Sequence, residues 1–159
     1  MLKSVADSGK IIFVGSMAGK ITRIKSEDIK NKLRNENLSR QELFEIINDF
    51  IQGVKEGNYE ERGWHKWIYG ISKIGINHYA RVLSKFEEVV NRKIQVYACC
   101  PGYVDTDMTS HKGVLTIEQG AMTPVFLAEL PFEVNPDYQG KFFEKSALSS
   151  LEWWDKDKI

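Results

Sequence analysis

The chain has 159 residues, 42% apolar and 28% charged, the balance of a globular domain with a real core. Basic and acidic residues cancel at 22 each, so no net field favours nucleic acid or an anionic membrane, and no run of 18 apolar residues offers a membrane span. The opening "MLKSVADSGK" lacks the apolar core of a signal peptide, and the adjacent Cys99 and Cys100 cannot form a framework of bridges, so a reducing compartment, the cytosol, is expected.

"KIIFVGS", residues 10–16, is a short β-branched run bounded by glycines and reads as a strand buried on both faces. "MAGKITRI" leaves it as loop. "SEDIKNKLRNEN" is mostly charged, with its acids early, and suits a short exposed helix. "SRQELFEIINDFIQGV" opens with Ser39 and Glu42 in capping-box spacing. Leu43, Ile46, Ile47, Phe50, Ile51 and Val54 then recur at helical spacing, which predicts an amphipathic helix. "GNYEERG" ends it, and the charges of residues 55–62 read as solvated loop.

"KWIYGISKIGINHYARVLSKFEEVV" is the longest helical candidate, with Ile71, Gly75, Tyr79, Val82, Phe86 and Val89 in one stripe. Gly70 and Gly75 cost about 1 kcal/mol each in a helix, which predicts close packing of helix on sheet. "KIQVYACC" is a second buried strand and "PGYVDTDMTSHKG" a loop. "TIEQGAMTPVFLAEL" opens with Thr116 and Gln119 in capping-box spacing and should kink at Pro124. "YQGKFFEK" gives a third, short strand. Strands alternating with helices imply parallel pairing: an α/β layered fold of about three strands, with right-handed crossovers.

Tyr69 and Lys73 stand four residues apart, one turn along the same helix face. A phenol has an ordinary pKa near 10, and an ammonium within about 4–6 Å favours its anion. Such a phenol becomes a useful general acid. The bare spacing is more often a packed tyrosine beside a snorkelling lysine. Context favours chemistry. Ser16 directly follows a buried strand, and Pro101-Gly102 follow the next one, at the sheet ends where α/β folds bind ligands.

With "IIFVGSMAG", "YGISKIG", "ACCPGYVDTDM" and "TIEQGAMTPVFLAELP" in this order, the chain resembles the short-chain dehydrogenases/reductases. Within them it is similar to the monomeric carbonyl reductases, whose helical insertion matches residues 26–62. The resemblance covers residues 9–153 and implies the C-terminal part of a doubly wound, Rossmann-type sheet, with 1–159 as one partial domain. It implies Ser16 as the group that hydrogen-bonds a substrate carbonyl and Tyr69 as proton donor. Lys73 would tune the tyrosine and hold the nicotinamide ribose, while Pro101, Gly102, Val104, Asp105 and Thr106 would meet the nicotinamide end of NADP(H). Asp105 stands where close relatives often carry arginine. The implied activity is NADPH-dependent reduction of ketones or aldehydes, with NADPH over NADH resting on the resemblance.

The sequence contains no G-x-G-x-x-G cluster for the cofactor phosphates. The expectation is therefore a C-terminal half, active as a reductase once completed by an N-terminal half. The alternative is a catalytically silent fragment or a binding module that pairs, or self-associates, through the open edge of strand 10–16. His65, His78 and His111 are scattered without metal-ligand spacing, and Cys99 and Cys100 read as small core residues. Trp64, Trp67, Trp153 and Trp154 wall a substrate pocket or simply pack.

Overall fold

The structure, a computed structural model, describes residues 2–149, without the Leu148 side chain. Trp153 and Trp154 lie outside the described residues. The elements run β1 (Lys10–Val14), α1 (Glu27–Arg34), α2 (Arg40–Glu56), α3 (Ile68–Leu83), α4 (Glu87–Asn91), β2 (Gln95–Cys100), α5 (Ile117–Glu129), β3 (Phe142–Glu144) and β4 (Ala147–Leu148). The sheet order is β1-β2-β3-β4. β1, β2 and β3 are parallel, and the two-residue β4 adds an antiparallel edge not expected from sequence. No helix among the described residues is long and apolar enough to cross a membrane.

β2 is buried along its whole length. Its alternate residues feed two cores. Val96, Ala98 and Cys100 join Ile71, Ile74 and Leu83 of α3, while Tyr97 and Cys99 join Leu127 of α5 and Phe143 of β3. Helices therefore cover both faces, as a parallel sheet requires. β1 departs from the expected burial on both faces. Its residues are half-buried and Val14 is 51% exposed. Among the described residues only one flank of β1 is paired, so its side chains lack neighbours on the other side.

The helix signals hold where the chemistry is local. Ser39 and Glu42 form the expected capping box of α2, and Thr116 and Gln119 that of α5, which runs through Pro124. Leu43, Ile46 and Phe50 of α2 are buried, but Ile51 and Val54 sit on the rim at 41% and 43% exposure. α1 is exposed except for Ile29 and Leu33, which pack into the core. The long helical candidate divides. α3 stops at Leu83, and α4 begins after a turn through Ser84–Phe86. Ser84 Oγ donates to the Arg81 carbonyl, and a side chain at Gly140 would strike that hydroxyl at 2.4 Å, so this turn is packed tightly against the approach to β3.

The segment before α3 is anchored by one carboxylate. Asp49 of α2 accepts from Trp64 Nε1 at 2.7 Å and from Arg62 at 2.7 Å, and Trp64 is fully buried edge-on to Phe50. Arg62 also reaches Glu56, so residues 55–62 hold an ion-paired clamp as well as solvated charge. Trp64 is therefore a core residue and walls no pocket at the sheet end.

α3 meets the turn after β1 at near-backbone contact. A Cβ at Gly19 would lie 2.7 Å from the Lys73 carbonyl carbon and 2.8 Å from the Ile74 nitrogen. Asn77, buried, donates from Nδ2 to the Ser16 carbonyl at 3.0 Å. A side chain at Gly70 would meet the Ala18 oxygen at 2.9 Å, as its packing role predicts, whereas one at Gly75 would meet only Ile47 at 3.6 Å, an ordinary contact. Gly19→Ala is thus expected to destabilise by about 1–3 kcal/mol through forced separation of helix and turn. Gly75→Ala should stabilise by up to about 1 kcal/mol through helix propensity. Chemical denaturation of both variants checks the pair.

His78 lies in the core, with Nδ1 3.2 Å from an Arg81 nitrogen. Burial first, and then the Arg81 charge, hold its pKa well below the ordinary imidazole range. A folded-state value below the unfolded one means full stability above about pH 6.5 and progressive loss as the pH falls below it. His78→Gln should flatten that acid slope in unfolding free energy measured from pH 7 to 5.

Candidate active site

The parallel register Val14↔Cys99 brings the ends of β1 and β2 side by side, and the Gly15 nitrogen donates to the Cys99 carbonyl at 2.7 Å. The chain segments following the two strands, Ser16 onward and Pro101 onward, therefore start from one edge of the sheet. Between them opens a cleft of about 1200 Å³. Ser16, Tyr69, Pro101, Gly102, Val104 and Thr106 line it, as do Trp67 and Cys100. Six of the eight sequence-assigned site residues thus share one cavity.

The other two, Lys73 and Asp105, are not part of its lining. Lys73 is half-buried. Its Nζ donates to the Val14 carbonyl at 3.3 Å and sits 5.5 Å from the centroid of the Tyr69 ring. Asp105 turns its carboxylate to His111, 2.9 Å away, and His111 also meets Asp107 at 3.1 Å.

Each side chain has a local reason for its place. Ser16 caps the 3₁₀ turn Met17–Gly19, its Oγ accepting from the Ala18 nitrogen at 3.0 Å. Tyr69 is the second residue of α3 and is 47% exposed, its ring 5.8 Å from that of Trp67. The loop after β2 is cross-tied. Val104 bridges Leu115, and Thr109 Oγ1 donates toward the Val104 carbonyl at 2.7 Å. A side chain at Gly113 would strike the Val104 backbone at 2.0 Å, so the loop's two arms lie flat on each other. Burial pushes the Cys99 thiol up to about 11, which keeps it protonated and suits the core role read from sequence.

Sequence reasoning missed Asn77. It stands four residues past Lys73, as Lys73 stands four past Tyr69, so one helix face carries all three. That spacing was the available signal. Its amide ties α3 to the Ser16 carbonyl, while its own Oδ1 is buried without a hydrogen-bond partner among the described residues.

Residues 56–114 match the short chain dehydrogenase family. The chain is 37% identical over 153 residues to (+)-neomenthol dehydrogenase of Arabidopsis thaliana, covering 94% of this chain and 50% of that protein. It is 32% identical over 157 residues to human carbonyl reductase (NADPH) 1, covering 97% of this chain and 55% of that protein. Salutaridine reductase from Papaver somniferum superimposes with a TM-score of 0.76 at 30% identity, over 87% of this chain and 46% of that one. The chain spans about half the length of the curated relatives it matches. Sequence and backbone agree: the chain belongs to the short-chain dehydrogenase/reductase family, with carbonyl reductases among its relatives.

Proposed function

We propose that this chain supplies the proton-donating half of an NADPH-dependent carbonyl reductase. The observation that carries this reading is the shared cleft. Ser16 and Tyr69 both line it, with the Lys73 ammonium 5.5 Å from the phenol ring. Ser16 donates a hydrogen bond to the carbonyl oxygen of a ketone or aldehyde and fixes its position. Tyr69 gives that oxygen its proton as the carbonyl becomes an alcohol. Lys73 offsets the negative charge left on the phenol.

The residues present fit the nicotinamide end of a cofactor. The rim from Pro101 to Thr106 offers backbone groups and the Thr106 hydroxyl beside the apolar Val104, a surface suited to a carboxamide and a flat ring. When bound there, NADPH supplies the reducing equivalents. Lys73, whose Nζ donates to the Val14 carbonyl, is proposed to meet a ribose hydroxyl beyond Tyr69. The phosphate end has no such match in the sequence, which lacks a glycine-rich turn. A complementing N-terminal half is proposed to hold it, pairing along the half-buried edge of β1. That edge also favours the second reading, a silent module that binds a partner strand, because Val14 is 51% exposed at its end.

Fluorescence titration with NADPH separates the two. Weak or absent binding by the chain alone, restored to micromolar affinity by a complementing half, is expected of the reductase. No binding in either state supports the silent module. In the complemented protein, Tyr69→Phe should lower kcat by about 10²–10⁴-fold with the fold unchanged by circular dichroism. Ser16→Ala should lower kcat/KM for the carbonyl substrate while leaving NADPH affinity intact.

A further inference from the structure

The cleft is electrostatically one-sided. Lys20, Arg23 and Lys112 line it, and among the described residues no aspartate or glutamate does. Among the described residues none of these three cations is paired with a carboxylate. Elsewhere the chain pairs its cations readily, as with Arg62 to Asp49 and Glu56, or Arg92 to Asp7 and Glu88.

Arg23 is also held in place. Its guanidinium lies 4.3 Å from the centroid of the Trp67 ring, and that ring lies 5.8 Å from the ring of Tyr69. The guanidinium is thus no further from Tyr69 than those two spacings laid end to end. A stacked guanidinium keeps its edge N–H groups free, and that edge fits a carboxylate with two parallel hydrogen bonds. Between Arg23 and Tyr69 the wall is the Trp67 ring, a flat apolar face.

We propose that the carbonyl substrate carries a carboxylate, separated from the reacting carbonyl by a short flat apolar spacer, and that Arg23, assisted by Lys20, binds that carboxylate. This deepens the reductase reading and rests on it. The carbonyl lies at Ser16 and Tyr69, the spacer along Trp67, and the anion at Arg23. Lys112 stands apart from this set, on the loop after β2 that also carries the nicotinamide-facing residues. Arg23 acts as a specificity determinant and touches no reacting atom.

The test uses the full chain and two probes of similar shape, 4-carboxybenzaldehyde and 4-methylbenzaldehyde, with affinities measured by ligand-observed NMR. The acid should bind about tenfold tighter, and Arg23→Gln should abolish that preference without changing affinity for the neutral probe. Arg23 is exposed, so the variant should fold, and Lys20→Gln gives a second, smaller loss. Equal affinity for both probes, or a preference that survives Arg23→Gln and Lys20→Gln together, overturns the proposal. Inorganic phosphate and NADPH are titrated in parallel. If Arg23→Gln weakens these and spares the acid, the cations serve cofactor phosphates and the proposal falls. A carboxylate preference lost in Arg23→Gln, but with no turnover of either aldehyde in the complemented protein, upholds the subsite and overturns the reductase reading instead.

Discussion

The structure turns on the contact between α3 and the short turn that follows β1. Two backbones meet there with no side chain between them at Gly19, and the Asn77 amide seals the approach by donating to the Ser16 carbonyl. Lys73 adds a second tie, from its ammonium to the Val14 carbonyl. Ser16 and Tyr69 inherit their relative position from this contact, because Ser16 belongs to the turn and Tyr69 to the helix. A cavity lined by groups from separate elements keeps its geometry only if those elements cannot slide, and a glycine interface that excludes a methyl group is a stiff way to prevent sliding.

Much of this was legible in sequence because the signals are short-ranged. The capping boxes at Ser39 and Thr116 announce helix starts through chemistry spanning three residues. The apolar runs of β1 and β2 announce strands, and the Tyr69–Lys73 spacing places both groups on one helix face. The failures are non-local. Nothing between Leu83 and Phe86 forbids a continuous helix. At the break, Ser84 packs closely against Gly140, which lies more than fifty residues away in sequence. Burial of β1 was overestimated because composition reports an apolar strand and cannot report whether a neighbour pairs with each flank. Trp64 and Trp67 look alike in sequence, yet the Asp49 carboxylate draws the first into the core and leaves the second to face the cleft.

The candidate site was legible as a set of residues more than as a shape. Ser16, Tyr69 and the loop from Pro101 converge because parallel neighbours start their following turns from one edge of a sheet. Lys73 and Asp105 show the limit of residue-by-residue transfer. Neither is part of the cleft lining: Lys73 Nζ donates to the Val14 carbonyl, and the Asp105 carboxylate lies 2.9 Å from His111 Nδ1. An aspartate turned away from the cavity leaves the local field positive, whereas one turned inward would have cancelled a cation.

That field is an arrangement and not a consequence of composition. The chain carries equal numbers of acidic and basic residues, so three cations around one cavity, none paired with a carboxylate among the described residues, are balanced by acidic charge placed elsewhere. Lys20 and Arg23 line the cavity with the Trp67 ring, so an anion bound on that side would meet positive charge next to an apolar face. An apolar wall beside an unpaired guanidinium meets the requirements of a carbonyl compound with an acid group at its far end. A substrate anion bound at that wall would fix the distance from the carbonyl to the phenol in a single contact.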